Sequence, residues 1–244
     1  MKIMVIIQAR MGSSRLPGKV LKKLYDKTIL EHDVDRIRQC KQIDDIIIAT
    51  TTNKADNEIE EEAVRLGVHY YRGSEEDVLS RYYYAAKEYK ADVIIRITSD
   101  CPLYDPKVLD EMISFYKKNQ YDIVSNAGND IVNRTYPRGL DTEIFSYNIL
   151  EEAFYKAREK YQREHVTPYI YETSSKIYYY KADTDNSKYR WTLDTNEDWL
   201  AISKIYDYLY QGSHDFYLDD ILLLMQKHPE IYDINKNVEQ KKLK

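Results

Sequence analysis

The sequence predicts an α/β fold with a mostly parallel sheet, on three observations. Apolar, β-branched runs recur through the first half: Ile3 to Ile7, Asp45 to Thr50 and Asp92 to Thr98. Each reads as a strand, and the consecutive Ile46, Ile47 and Ile48 mark burial on both faces. Helical patterns with their own start signals lie between these runs, joined by short loops, as in parallel sheets with crossover helices. The strands also end in polar stretches: Gln8 to Lys19, Thr50 to Asn53, and Ser99 to Pro102. In such sheets ligands bind beyond the carboxyl ends of the strands.

Taken in order, Val20 to Leu24 is a short apolar patch after the opening loop, and Thr28 to Cys40 reads as a helix. Thr28 with Glu31 fits a capping box, and Leu30, Val34 and Ile37 share a face. Asn57 to Leu66 is a helix closed by Gly67 as a left-handed cap. Val68 to Arg72 is a short strand, and a helix beginning at Ser74, with Asp77 in the capping position, runs to Tyr89. Asp105 caps the next helix, with Pro106 at its first position, and Asp122 to Ser125 is a strand. The second half is less regular. Asn126 to Leu140 reads as a long loop, Asp141 to Phe145 as a strand, Asn148 to Tyr161 as a helix, and Gln162 to Glu172 as a second short helix. Ile177 to Ala182 and Tyr189 to Leu193 read as strands; helices follow at Asp198 to Tyr210, capped by Asn196, and at Leu218 to Lys227. With no repeat and no linker-like stretch, 1–234 reads as one domain with an inserted subregion around 126–182, and 235–244 as a polar tail.

Composition bounds the function. The 244 residues carry a net charge of −5, which argues against a general nucleic-acid binder and leaves room for a local basic pocket. There is no apolar run long enough to span a bilayer and no signal-peptide pattern, so no membrane partner is expected and cytoplasmic is the default. The two cysteines, Cys40 and Cys101, make neither a disulfide framework nor a zinc site.

The chemistry concentrates at the strand ends. The loop after the first strand holds Gly12, Ser13, Arg15, Gly18 and Lys19. Glycine lets backbone N–H groups turn toward an anion, Arg offers a fork and Lys a point charge. Composition leaves a phosphate cradle and a basic surface loop equally open. The spacing matches neither a P-loop nor a GxGxxG fingerprint. Asp100 and Asp194 each sit at a strand end, where a carboxylate holds a hard divalent cation or else caps a turn or helix. Together with the basic loop they suggest a phosphate–Mg²⁺ site, since Mg²⁺ commonly uses one or two carboxylates plus phosphate oxygens.

The stretch QARMGSSRLPGKV resembles the signature loop of cytidylyltransferases that make CMP-activated acidic sugars, in the branch that includes spore coat polysaccharide biosynthesis protein F. The similarity continues in order through IDDIIIATT, RGSEEDVLSRYYYAA, RITSDCPLYDP, PRGLDTEIFS, REHVTPYIYE and RWTLDTNEDW, to about Trp199. The resemblance implies a Rossmann-like, nucleotide-diphosphosugar-transferase-like three-layer sandwich, usually dimeric through an excursion in the second half. It implies that Gly12, Ser13, Arg15 and Lys19 bind the CTP phosphates and that Gln8, Ala9 and Arg10 line the base and ribose. Thr50, Arg72 and Arg81 would stand near the nucleotide, and Asp100 and Asp194 would hold Mg²⁺. Ser99 departs from the glycine often found before the first metal aspartate. The acidic sugar-like acceptor would meet Arg138, Asp141, Glu143, Arg163, Glu164 and His165.

The implied reaction is attack of an acceptor oxygen on the α-phosphorus of CTP with pyrophosphate leaving in line. Arg15, Lys19, Asp100 and Asp194 would be its catalytic groups. Two rival readings exist. A glycosyltransferase would use an Asp-x-Asp motif, which Asp183-Thr184-Asp185 superficially fits, although Asx residues also suit a turn there. A non-catalytic nucleotide-binding subunit predicts loss of one of Arg15, Lys19, Asp100 or Asp194, and all are present.

Overall fold

The computed structural model describes residues 1–13, 15–127 and 134–240. Part of the expected loop 126–140, and the end of the expected tail, lie outside the described residues. The first strand, β1 (Ile3–Gln8), is central because five consecutive apolar side chains leave it no solvent face. Each fully buried aliphatic chain of this kind contributes about 1.5–3 kcal/mol. β1 pairs in parallel with β4 (Asp45–Thr51) on one side and β6 (Val93–Thr98) on the other. β5 (His69–Gly73) extends the sheet beyond β4, also in parallel. Between β1 and β4 lie a small hairpin of β2 (Lys23–Leu24) and β3 (Lys27–Thr28), and helix α1 (Ile29–Ile37).

Past β6 the sheet turns mixed. β8 (Glu143–Ser146) runs antiparallel between β6 and β7 (Ile123–Ser125), and β9 (Ile177–Tyr179) closes the edge in parallel with β7. The full order is β5-β4-β1-β6-β8-β7-β9. Side chains alternate between two helical layers. Ile3, Val5, Ile7, Ile46, Ile48, Ile95 and Ile97 face α1, α2 (Asn57–Leu66), α4 (Pro106–Lys118), α8 (Asn196–Leu209), α9 (Leu218–Lys227) and α10 (Pro229–Asn235). Met4, Ile6, Ile47, Ala49 and Ile94 face α3 (Val78–Glu88), α5 (Tyr147–Lys156) and α7 (Pro168–Thr173). The expected three-layer α/β sandwich with a mixed sheet is therefore present. No helix among the described residues is long and apolar enough to cross a membrane.

Several local expectations need correction. Tyr189 to Leu193 is not a strand; it makes one parallel bridge, Arg138 with Arg190. The expected helix over 148–161 divides, because Ala157 is extended at ψ 125, and α6 (Lys160–His165) restarts after it. The cap of α8 is Thr195 rather than Asn196: its hydroxyl accepts from the N–H of Asp198, whose carboxylate reaches back. At α1 the Thr28 hydroxyl caps Glu31 N, but the Glu31 carboxylate binds Arg65 instead of closing a box. The left-handed Gly67 (φ 64) and the Asp105–Pro106 start of α4 match their sequence signals.

Candidate active site

The opening loop rises from β1 and returns through a short 3₁₀ turn, Lys19–Leu21, entered by Gly18 at φ 64. That turn aims Lys19 inward. Its ammonium lies 2.7 Å from Asp100 Oδ2 and 2.8 Å from Asp194 Oδ1, and donates to the Leu193 carbonyl at 2.7 Å. Asp100 follows β6, where the Thr98 hydroxyl donates to its Oδ1 at 2.6 Å. Asp194 comes from the segment before α8. A backbone bond from Leu193 N to Asp100 O at 2.8 Å stitches the two loops together. Arg15 joins on Asp194 Oδ2 at 2.9 Å, and Arg190 reaches the same oxygen at 2.8 Å.

Electrostatics explains why this cluster is stable. Burial opposes charge on Lys19, yet the carboxylates of Asp100 and Asp194 outweigh it and raise the ammonium pKa. Burial likewise opposes ionisation of Asp194, and Lys19, Arg15 and Arg190 overcome it and hold its carboxyl below the usual range. Behind it, Arg190 clamps the fully buried Asp198 through Nε at 2.8 Å, and Asp198 accepts from the N–H groups of Asp194 and Thr195. The position of Asp194 is thus set by a second ion pair that nothing in the local spacing announces.

The donor chemistry fits a divalent cation. Oxygens from Asp100 and Asp194 converge on one point, now filled by Nζ of Lys19, and both side chains are mostly buried. Among the described residues no group of three or more His, Cys, Asp and Glu converges as a self-sufficient metal cage. Two carboxylates with the remaining ligands drawn from phosphate and water is the pattern expected of Mg²⁺.

The other expected residues divide by what they already hold. At the end of β1, Gln8 keeps a buried Oε1 with no donor among the described residues, Ala9 N bonds Ala49 O at 3.1 Å, and the exposed Arg10 reaches Glu75 at 3.4 Å. Gly12 is open, with only Glu75 Oε1 3.6 Å from where a Cβ would sit. Ser13 N donates to Met11 O at 2.8 Å. Thr50 is buried with its hydroxyl unpaired. Arg81 is 2% exposed, its Nε and Nη1 lack acceptors among the described residues, and burial lowers its pKa. Arg72, by contrast, is a brace: it bonds Thr51 O, Asn53 O, Asn57 and Glu60.

On the expected acceptor side, Arg138 is half-buried, and burial together with Arg134 lowers its pKa. Asp141 pairs with Arg134 at 2.5 Å. Glu143 is buried against Arg96, Thr167 and Tyr171. Arg163 binds Asp77 at 2.6 Å and the carbonyls of Phe154 and Ala157, so it ties α6 to the cap of α3. Glu164 is exposed and His165 half-buried. Asp185 accepts from Ser187 N at 2.9 Å, the turn role that Asp183-Thr184-Asp185 also suits.

Sequence reading missed Arg96, Arg190, Asp198 and Asp33. Arg96 had a signal: a charge inside the buried run DVIIRIT. Asp33, on α1, is fully buried; burial, and then Asp100, push its carboxyl well above the usual range, against a backbone hydrogen bond from Cys101.

Fold and site together define a nucleotidyltransferase. More narrowly, the chain belongs to the cytidylyltransferase family, whose model matches residues 4–241. It is 44% identical over 248 residues to an uncharacterized protein of Methanocaldococcus jannaschii, covering 99% of this chain and 97% of that one. It is 34% identical to spore coat polysaccharide biosynthesis protein SpsF of Bacillus subtilis, covering 93% and 95%. The solved structure of a cytidylyltransferase from Leptospira borgpetersenii matches with a TM-score of 0.90 at 38% identity, covering 99% of both chains. The family resemblance carried by QARMGSSRLPGKV is correct.

Proposed function

We propose that this enzyme transfers CMP from CTP to an acidic sugar-like acceptor, releasing pyrophosphate, with Mg²⁺ as cofactor. The observation that carries the reading is the meeting of Arg15 and Lys19 with Asp100 and Asp194 at the carboxyl ends of β1 and β6. Cations suited to a triphosphate and carboxylates suited to its metal neutralise one another there. Similarity to SpsF supports an acceptor used in surface or spore-coat polysaccharide synthesis. The unit proposed to act is 1–234, with 126–182 on the acceptor side and at a homodimer contact.

The chain's own residues do little covalent work. Arg15 and Lys19 would move from the carboxylates to the phosphates and neutralise charge developing on the leaving pyrophosphate. Gln8, Ala9 and Arg10 would line the base and ribose, beside Arg81, whose Nε and Nη1 have no acceptor among the described residues. Asp100 and Asp194 would hold the Mg²⁺, which polarises the α-phosphate and lowers the pKa of the attacking hydroxyl when bound. The remaining contribution is alignment of attacking and leaving oxygens.

The test is pyrophosphate release with Mg²⁺, each nucleoside triphosphate in turn and a panel of sugar acids. A CTP preference with at least one acid is expected. Equal use of all nucleotides would overturn the reading.

A further inference from the structure

Arg96 is the one charged residue of β6, and its register fixes where it points. It stands beside Ile6 of β1 and Glu143 of β8. Ile94 and Ile6, on the same face, pack into the layer containing Tyr82 of α3. Two residues on, Thr98 shares that face and holds Asp100 at 2.6 Å. Arg96 therefore sits one strand repeat, about 7 Å, before Thr98, whose hydroxyl holds the proposed metal carboxylate.

Its guanidinium is half engaged. Nη1 donates to Glu143 Oε2 at 2.6 Å, while the buried Nε has no acceptor among the described residues. Glu143 is itself held, since Oε1 takes the hydroxyls of Thr167 at 2.9 Å and Tyr171 at 2.8 Å. It therefore anchors Arg96. Thr167 reaches it from a strained turn. Val166 is held at φ 72, ψ −56, and Thr167 N bonds His165 O at 2.9 Å across it. A β-branched residue rarely occupies that region. The strained REHVT turn, Glu143 and Arg96 form one relay ending in the edge that Nε shares with Nη2. Two further groups without partners among the described residues face the same layer: Gln8 Oε1, opposite Thr98, and Nε and Nη1 of Arg81. The Arg96 side chain as a whole is 18% exposed, and Nε is its buried part.

A planar guanidinium edge with a fixed far side is the partner of a carboxylate, which it binds through parallel hydrogen bonds. We propose that Arg96, anchored by Glu143, receives the carboxylate of the acceptor. This rests on the cytidylyl-transfer reading, and deepens it by assigning acid recognition to a residue of β6. Of the residues expected on the acceptor side, Glu143 then acts as the positioning residue for Arg96.

The test is crystallographic and needs no knowledge of the acceptor. Wild-type crystals grown with CTP are soaked in sodium bromide and mapped by anomalous scattering. The expected result is a bromide within hydrogen-bond distance of Arg96 Nε, displaced by excess acetate but not by acetamide. Arg96→Lys keeps a cation for Glu143 and so keeps the fold; it should lose the bromide while its CTP affinity, measured by calorimetry, stays within about twofold of wild type. No bromide at Arg96, or one that acetate leaves in place (an adventitious ion only), overturns the proposal. So does Arg96→Lys that still folds but loses CTP binding, which would move Arg96 into the nucleotide site. The CTP titration of the wild type reads the cytidylyl assignment separately: bromide at Arg96 without CTP binding would overturn that assignment and leave the anion site.

Discussion

Lys19 and Asp194 are 175 positions apart in the chain, yet Nζ of the first lies 2.8 Å from Oδ1 of the second. The contact joins the loop after β1 to the segment before α8, and it fills the point on which the proposed metal oxygens converge. On the proposed reading, a divalent cation and Lys19 would therefore compete for one place until a triphosphate drew the ammonium away.

Metal and nucleotide binding should consequently be coupled. In a Mn²⁺ titration followed by electron paramagnetic resonance, wild-type protein should bind the metal about tenfold or more tightly once CTP is present. Lys19→Met should bind Mn²⁺ alone more tightly than wild type does and show a smaller gain from CTP. Equal Mn²⁺ affinity with and without CTP in the wild type would contradict the competition.

Asp100→Asn should lower turnover by at least about 100-fold while moving the thermal midpoint little. Lys19 keeps Asp194 and the Leu193 carbonyl, so the loops stay tied. Steady-state assays beside a thermal melt make the comparison. Wild-type turnover under titrated Mg²⁺ would remove Asp100 from the metal site.

Gly139 should tolerate no side chain. It sits at φ 101, and an added Cβ would lie 2.6 Å from the Trp191 carbonyl carbon. Gly139→Ala should cost about 2–4 kcal/mol in urea unfolding and displace the strip leading to Asp194. Gly67→Ala, at φ 64 with nothing within 4 Å, should cost only about 1 kcal/mol. Similar losses for the two would show that backbone strain alone sets the penalty.

Stability should fall in mild acid through a buried histidine pair. His32 Nε2–H donates to Leu24 O at 2.9 Å, which leaves Nδ1 to accept from His214 Nε2–H at 2.8 Å. Burial pushes both pKa values down from 6.5, that of His214 to about 3. The unfolded chain takes up protons that the folded one refuses. The stabilisation is therefore full above pH about 6.5 and is lost as pH falls toward the folded value. Between pH 6.5 and 5, one such histidine accounts for about 2 kcal/mol. Denaturant unfolding of wild type and His214→Gln at the two pH values checks this, and the variant's curve should be the flatter.

Much of this was readable in the chain. Continuous apolar runs announced β1, β4 and β6, because strands covered on both faces need no alternation. The aspartates at the ends of β6 and of the RWTLD segment announced carboxylates near a basic loop. The second half was harder to read. Tyr189 to Leu193 has the composition of a strand, but the close packing of Gly139 on Trp191 holds it to a single bridge. Arg163 was expected near the acceptor from the family resemblance, and only the fold shows its donors committed to Asp77, Phe154 and Ala157.

By itself, then, the sequence determined the α/β class, the strand-end loops and the family, because period, caps and signature residues are local properties of the chain. Tertiary structure decided the pairings: Lys19 with both aspartates, Arg190 with Asp198, Arg96 with Glu143. Each joins groups 8 to 175 positions apart, from Arg190 with Asp198 to Lys19 with Asp194. Their energies come from burial and from mutual neutralisation of charge, which exist only once the sheet has brought those segments together.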